Sequence, residues 1–293
     1  MTPESGTPSI LVGVDGSAPS NHAVEWAVNE AEQRGAALHF VHVLPGELRG
    51  SESERAAICS AAQSLLSSAV DRAVDVLGDA AVSQEVLNAP TDQALVTRAA
   101  DFDLLVVGSR GHGGFASLLL GSTSANLASH APCPVAVVRG APADSGPTEP
   151  PPDAPIVVGV DESPRAQQAL EYAFARAAER GARIIAVCAW HPPTSYGAYA
   201  ASELIPADYD DLGRDAAQKL TAALEPWQQR YPDVETTPHT VSSHAVTALV
   251  EASHDARFLV VGSRGRGTLK GMLLGSVSHG ALHHARSTVI VVR

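Results

Sequence analysis

The chain contains an internal repeat, and this repeat constrains the fold more than any other feature. The segment SILVGVDGSAPSNHAVEWAVNEAEQRGAALHFVHVLP aligns without a gap with PIVVGVDESPRAQQALEYAFARAAERGARIIAVCAWHP, an offset of 146 residues. A second pair, VVGSRGHGGFASLLLGSTSANL and VVGSRGRGTLKGMLLGSVSHGAL, repeats at an offset of 154. Each copy has the length of an ordinary domain, so the chain is predicted to fold as two similar domains.

The segments between the landmarks set the predicted boundaries. Residues 140–154, GAPADSGPTEPPPDA, are rich in proline, glycine and acids and indicate a semi-extended linker. The larger second offset predicts an insertion of eight residues in copy two, within the loop at 191–206. We therefore expect domain one at 1–140, a linker at 141–154 and domain two at 155–293.

Within each copy, short β-rich apolar runs alternate with longer helical patterns. In copy one the strands are predicted at 9–15, 37–43, 80–88, 103–108 and 134–139, and the helices near 18–34, 52–78, 91–101 and 122–131. This order predicts an α/β fold with a doubly wound, mostly parallel five-stranded sheet in each domain. Continuous runs such as LLVVG and FLVVG favour strands that are buried on both faces.

Composition narrows the class of protein. The apolar runs fall far short of the roughly 20 residues that a membrane span needs, and no secretory leader pattern is present. The net charge of −12 disfavours binding to nucleic acid or anionic membranes, and three cysteines without a CxxC pair suit a reducing compartment. We expect a cytoplasmic protein without a membrane or nucleic-acid partner.

The glycine-rich stretch that follows the fourth strand is predicted to hold phosphate. In doubly wound sheets, ligands bind beyond the carboxyl ends of the strands. Gly108 and Gly111 permit a turn that approaches a ligand closely, and Gly121 opens a helix whose first N–H groups and hydroxyls attract an anion. An isolated Gly-x2-Gly favours a simple tight turn, but this one is repeated in the corresponding place.

Other nucleotide and hydrolase motifs do not fit. A Walker loop requires GxxxxGK[ST], and neither Lys219 nor Lys270 is preceded by that pattern. A dinucleotide fingerprint would follow the first strand, whereas this glycine turn follows the fourth. No GxSxG nucleophile elbow is present.

The spacing Gly-x2-Gly-x9-Gly-Ser after a VGVD strand, present in both copies, resembles the ATP-binding class of the universal stress protein family. The resemblance covers nearly the whole chain outside the linker, and the tandem arrangement is similar to two-domain actinobacterial members. It implies a Rossmann-like, adenine nucleotide alpha hydrolase-like fold that binds ATP in each half, with Mg²⁺ bound through the phosphates.

The resemblance also implies site residues. Asp15 and Asp161 would contact the ribose side, Val43 and Ala189 would meet the adenine through their backbone, and the glycine turn and helix start would hold the phosphates. A simple helix cap is the structural alternative for each aspartate, but Ser17 and Ser163 are available for that role. The full predicted ATP-binding set is Gly13, Asp15, Val43, Gly108, Gly111, Gly121, Ser122, Thr123, Ser124, Gly159, Asp161, Ala189, Gly262, Gly265, Gly275, Ser276, Val277 and Ser278.

These features predict a nucleotide-dependent regulatory or stress-response module, with no catalytic residue assigned. The alternatives are a slow ATPase or nucleotide-dependent phosphotransferase, and a protein that binds AMP or a cyclic nucleotide. The resemblance further implies that the apolar terminal strands PVAVVRG and TVIVVR pair antiparallel, joining the two halves and two chains as a homodimer. The protein partner is not identifiable from sequence.

Two finer expectations concern charged side chains. The second glycine stretch carries Arg264, Arg266 and Lys270 where the first carries Arg110 with His112, so site two is expected to bind ATP more tightly. His279 and His283 are four residues apart on a helix, but no HExxH glutamate accompanies them. The sequence favours a surface helix end there, and no metal site is predicted.

Overall fold

The computed structural model describes residues 6–44, 46, 50–111, 119–140, 150–151, 153–190, 209–265 and 273–293. The insertion loop, most of the linker, and the predicted cations His112, Arg266 and Lys270 lie outside the described residues. By its contacts the chain forms two compact units, residues 1–149 with 288–293, and residues 150–287. The C-terminal strand of the second repeat is therefore part of the first unit.

The described residues of the first unit form six strands in the order β3-β2-β1-β4-β5-β10. All pairs are parallel except β5 with β10, which are antiparallel with Ile290 opposite Ala136. Helix α1 packs on α2, and α3 packs on α4. Its elements are β1 (Ser9–Gly13), α1 (Ala18–Arg34), β2 (Ala37–Leu44), α2 (Glu52–Leu77), β3 (Val82–Asn88), α3 (Thr91–Arg98), β4 (Leu104–Gly108), α4 (Ser122–His130), β5 (Val135–Val138) and β10 (Thr288–Val292).

The part of the second unit that the structure describes contains four parallel strands in the order β9-β6-β7-β8. Helix α5 packs on α6, and α7 packs on α8. Its elements are β6 (Ile156–Gly159), α5 (Pro164–Arg180), β7 (Ile184–Trp190), α6 (Tyr209–Arg230), β8 (Thr236–Ser242), α7 (Ala245–Ala252), β9 (Phe258–Gly262) and α8 (Ser276–His284). The prediction of tandem, mostly parallel α/β domains is confirmed.

Local sequence signals explain where the first helix of each unit begins and ends. The Ser17 hydroxyl accepts a hydrogen bond from the Ser20 N–H, and Ser163 caps α5 in the same way through Ala166. A proline in the first turn supplies a helical φ. Both helices end at a glycine in the left-handed conformation, where a side chain would be strained. The serines thus fill the cap role, as predicted.

The core lies in the central strands. Every residue of β4 is buried, and so are the first four residues of β9. This is the two-face burial that the apolar runs LLVVG and FLVVG predicted. Strand β4 is held between β1 and β5, and β9 pairs with β6, so the glycine turn that follows each of them starts from the end of a buried, paired strand.

Candidate nucleotide site

The second unit contains a cavity at the carboxyl ends of β6, β7 and β9. Its volume is about 140 Å³, comparable with a cavity of about 150 Å³ that accommodates benzene. A space of this size accepts a small planar aromatic group, whereas a longer polar group must extend from it along the surface. It is lined by Gly159, Val160, Asp161, Ser163, Ala166, Val187, Ala189, Ala245, Leu249, Val261, Gly262, Arg264, Gly265, Val277 and Ser278.

Seven of the nine residues predicted for site two line this cavity. Gly275 and Ser276 do not line it, although they begin α8, whose next two residues do. Sequence analysis missed the apolar wall from α7, formed by Ala245 and Leu249. The position of α7 directly after β8 could have revealed this wall from the sequence. A helix that follows a parallel strand begins at the edge of the sheet where ligands bind.

The glycine that ends each first strand faces the same apolar wall. A Cβ on Gly159 would lie 3.2 Å from Leu249 Cδ1 and 3.5 Å from Val261 Cγ1. In the first unit a Cβ on Gly13 would lie 3.1 Å from Val107 Cγ1 and 3.7 Å from Leu95 Cδ1. The glycine therefore packs against apolar side chains in both units, and in the second unit a side chain there would narrow the cavity.

The predicted ribose aspartates adopt the same arrangement in both units. Asp15 Oδ1 accepts a hydrogen bond from the Ser17 N–H at 2.9 Å. Asp161 Oδ1 accepts one from the Ser163 N–H at 3.0 Å and one from its hydroxyl at 2.5 Å. One oxygen of each carboxylate is thereby fixed to the start of the first helix, which orients the other.

The second carboxylate oxygen lies against the glycine turn. A Cβ on Gly265 would be 2.7 Å from Asp161 Oδ2, and one on Gly111 would overlap Asp15 Oδ2 even more closely. Both distances are below the closest approach that Cβ atoms tolerate. The absence of a side chain at Gly111 and Gly265 therefore leaves room for the aspartate. This is a second role, besides the predicted close approach of the backbone to phosphate.

Gly108 and Gly262 serve helix packing. A Cβ on Gly108 would lie 2.7–2.8 Å from the backbone of Pro19 and Ser20. One on Gly262 would lie 2.9–3.0 Å from Arg165. The absence of a side chain at each position thus lets the first turn of α1 or α5 contact the end of the strand, and brings the cap serine to the glycine turn. There the Ser17 hydroxyl donates to the Arg110 carbonyl at 3.3 Å.

The helices α4 and α8 begin at the predicted phosphate position. The Gly121 N–H donates to the Ser109 carbonyl at 2.7 Å, and the Gly275 N–H donates to the Ser263 carbonyl at 2.8 Å. Among the described residues, no side chain at the N-cap position caps either helix. The first-turn N–H groups are therefore not taken by an N-cap side chain, which is the arrangement that favours an anion.

The serine hydroxyls of this turn differ in their availability. Ser124 is buried and its hydroxyl donates to the Gly108 carbonyl at 2.7 Å. Ser278 is also buried, and its hydroxyl lies 3.0 Å from the carbonyls of Ser263 and Gly275. Ser122 and Ser276 are exposed, while Thr123 and Val277 are half-buried. The buried pair thus anchors the helix start to the strand.

The charges around the two sites differ in ways that the sequence did not reveal. In the second unit, Glu162 beside Asp161 forms an ion pair with Lys219 at 2.7 Å, and Lys219 also contacts Asp215 at 2.8 Å. These hydrogen bonds raise the pKa of the lysine. A carboxylate beside the site would oppose the binding of phosphate, and the ion pair of Glu162 with Lys219 reduces that opposition.

The first unit has an additional cation near the glycine turn. Arg139 directly follows β5, whose last residue, Val138, pairs with Gly108 and accepts the Ser109 N–H at 2.8 Å. Burial lowers the pKa of Arg139, and the charge of Arg110 lowers it further. Sequence analysis counted only cations between the glycines and missed this one. The parallel pairing of β4 and β5, which places the end of β5 beside the glycine turn, could have revealed Arg139.

The expected adenine positions also differ between units. Val43 follows His42, whose Nδ1 lies 2.6 Å from the Val14 carbonyl. Ala189 lines the cavity, and the Trp190 ring that follows it lies 3.2 Å from where a Cβ on Gly213 of α6 would be. Because side chains alternate along a strand, Trp190 supports the strand from the face opposite Ala189.

The described parts of the chain contain neither a metal-ligand cluster nor a membrane-spanning helix. No group of three or more His, Cys, Asp or Glu side chains there is arranged to hold a metal ion. No helix there is both long and apolar enough to cross a membrane.

Comparisons with known proteins agree with this architecture. The model of the universal stress protein family matches residues 7–139 and 154–293. A universal stress protein of Mycobacterium tuberculosis is 37% identical over 299 residues, covering 97% of this chain and 96% of the relative. A second one from that organism is 34% identical over 304 residues, covering 97% and 94%.

A solved structure supports the fold. The crystal structure of a universal stress protein from Archaeoglobus fulgidus DSM 4304 superposes with a TM-score of 0.70 at 19% identity, covering 97% of this chain and 96% of that one. The chain therefore belongs to the universal stress protein family and carries two copies of the family domain in tandem.

Proposed function

We propose that each half of this protein binds ATP and that occupancy of the two sites regulates its conformation or its partners. The observation that carries the proposal is the cavity of about 140 Å³ in the second unit, because seven residues predicted for the nucleotide line it. The apolar ring-sized space suits adenine. Asp161 at its rim suits a ribose hydroxyl, and the helix start beyond it suits phosphate.

The first unit is proposed to bind ATP in the same way. Asp15, Gly13 and the start of α4 repeat the contacts made by their counterparts in the second unit. Any Mg²⁺ would be bound through the ATP phosphates, because this ion retains water and phosphate ligands in preference to a full protein cage.

The proposal is tested by thermal unfolding with and without ATP and MgCl₂. A ligand present at 100 times its Kd stabilises the folded state by about 2.7 kcal/mol. That corresponds to a rise in Tm of about 2–4 °C for each kcal/mol in a domain of this size. Asp161→Ala should lose the part of this shift that belongs to the second unit, whereas Asp233→Ala, at an exposed turn, should keep it. An unchanged Tm at millimolar ATP would contradict the proposal.

The same thermal unfolding assay identifies which nucleotide the protein prefers. ADP, AMP, cyclic AMP and GTP are compared with ATP at equal concentration. A larger shift with ATP than with AMP would show that the helix starts contribute through the phosphates. An equal shift with AMP or cyclic AMP would support the alternative that a different adenine compound is the ligand.

Slow ATP hydrolysis is a second candidate function, favoured by one observation. The second carboxylate oxygen of Asp161 lies beside the glycine turn, close to the proposed phosphate position, where a carboxylate can orient water. Phosphate release measured for the full chain and for Asp161→Asn tests this function. Turnover that is far below about 10 per second, a typical enzyme median, and insensitive to the variant would support a binding module.

The predicted homodimer through terminal strands stays a prediction. Within the first unit, β5 lies between β4 and β10, so both of its edges are already paired. The antiparallel contact expected of the terminal strands is thus made inside one chain. Light scattering on the full chain distinguishes a 30.3 kDa monomer from a dimer of twice that mass.

A further inference from the structure

Two histidines on α8 form a side-chain pair that the proposed nucleotide function does not use. The ring centroids of His279 and His283 are 4.5 Å apart, with an angle of 37° between the ring planes. His279 is exposed and His283 is half-buried. Their spacing of four residues places both rings on one side of the helix. The next ring, His284, is 6.2 Å from His283.

Paired imidazoles have a defined coordination chemistry. Neutral imidazole nitrogens bind Cu²⁺, Ni²⁺ and Zn²⁺. Their affinity is highest for Cu²⁺ and lower for both Ni²⁺ and Zn²⁺. With metal–nitrogen bonds of about 2.0–2.1 Å, two nitrogens on one tetrahedral ion are about 3.3 Å apart. The rings of His279 and His283, with centroids 4.5 Å apart, are already near this separation.

We infer that His279 and His283 form a two-imidazole binding site for a divalent transition-metal ion of the Cu²⁺, Ni²⁺ and Zn²⁺ class. No third protein ligand is grouped with them among the described residues. The proposed site thus has two protein ligands, and the exposure of His279 leaves its remaining coordination positions accessible to water. This inference goes beyond the sequence-based expectation of no metal site, which rested on the missing HExxH glutamate.

The position of the pair gives metal binding a structural consequence. His279 directly follows Ser278, which lines the cavity of the second unit. Between the two histidines lies Gly280, where a Cβ would be 2.5 Å from Val246 Cγ2 of α7. Close packing thus requires glycine there, although glycine is a poor helix former. A metal ion held by His279 and His283 spans this weak point and stabilises α8.

The first unit provides an internal comparison. At the same positions of α4 the sequence has Ala125, Ser129 and His130, so α4 retains the counterpart of His284 but lacks the pair. Metal binding that depends on the pair is therefore expected once per chain.

Calorimetric titration of the full chain with CuCl₂, and separately with ZnCl₂, tests the inference without nucleotide. We expect one site per chain, tighter for Cu²⁺ than for Zn²⁺. His279→Ala and His283→Ala should each weaken it by about tenfold or more, since even the loss of a group that orients a metal ligand costs about 10–100-fold. The matched controls His284→Ala and His130→Ala should leave the affinity unchanged. Equal affinity in all four variants, or no binding at millimolar metal, would overturn the inference.

Two further measurements separate ligation from misfolding. Ala125→His combined with Ser129→His should create a second site of similar affinity on α4, and failure to gain it would count against the assigned geometry. Hydrogen exchange of residues 275–284 should slow when ZnCl₂ is added to the wild-type chain and stay unchanged in His279→Ala. Because neither readout involves nucleotide, both outcomes are independent of the proposed ATP function.

Discussion

Replacing Gly265 by alanine tests whether the aspartate and the glycine turn form one unit. The added Cβ would lie 2.7 Å from Asp161 Oδ2 and 3.8 Å from its Cγ. The backbone at Gly265 does not have a positive φ, so alanine introduces no conformational strain of its own. The carboxylate must therefore move, and its other oxygen would then leave the N–H and hydroxyl of Ser163.

The size of the effect follows from those two hydrogen bonds. A hydrogen bond to a charged group contributes about 1.5–3 kcal/mol when buried. Asp161 is half-buried, so solvent reduces the loss to about 1–2 kcal/mol in the free energy of unfolding. This corresponds to a fall in Tm of about 2–4 °C per kcal/mol for a domain of this size. If Asp161 contacts the ribose, ATP affinity at the second site should fall about tenfold as well.

A double-mutant cycle isolates the contact from other effects of the substitution. Gly265→Ala, Asp161→Ala and the double variant are compared by urea unfolding and by ATP titration. Since Asp161→Ala removes the oxygen that alanine would displace, Gly265→Ala should cost almost nothing in that background. An equal cost in both backgrounds would refute the reasoning, because the glycine would then be needed for something other than the aspartate.

Three other predictions follow from charged groups in the structure. Burial lowers the pKa of His39 from 6.5, although the hydrogen bond to Glu85 raises it. The unfolded chain therefore binds a proton at this histidine more readily than the folded chain, so the free energy of unfolding should fall as the pH drops below about 6.5. Over the same pH range, the midpoint of urea unfolding should fall less in His39→Gln than in the wild type. Arg139→Ala should weaken ATP binding at the first site several-fold in calorimetry at about 50 mM salt, with the difference shrinking as salt screens charge. Lys219→Ala should expose the charge of Glu162 and weaken the second site by less than about fivefold, because the ion pair is exposed.

Each of these three has an outcome that would contradict it. An identical pH dependence in wild type and His39→Gln would show that the histidine does not set acid stability. Unchanged affinity in Arg139→Ala would show that its guanidinium does not reach the phosphates. Tighter binding in Lys219→Ala would mean that the lysine does not screen the acidic side chain.

Much of the fold could be predicted from the sequence because its signals are local. Apolar runs such as LLVVG, the Ser-Pro helix starts and the glycine helix ends each depend on residues close together in the chain. The internal repeat then supplies a second copy of these local patterns, which supports the same interpretation in each half. The helix bounds of α1 agree with those predicted, at residues 18 and 34.

The parts that sequence analysis missed depend on contacts between distant residues. Leu249 reaches the cavity because α7 packs over the end of β6, and Arg139 approaches the glycine turn because β5 pairs with β4. Gly108 has the spacing of a ligand-binding glycine, yet its nearest neighbours are Pro19 and Ser20. A motif specifies which residue types recur, but pairing and packing determine what each of them contacts.

Native mass spectrometry of the full chain with ATP tests the central claim of one nucleotide site per half most directly. The wild-type chain is predicted to bind two ATP molecules. Asp15→Ala and Asp161→Ala should each bind one, and the double variant should bind none, while Asp71→Ala, on an exposed face of α2, should still bind two. A wild-type chain that binds no adenine nucleotide, or a double variant that still binds two, would contradict the account.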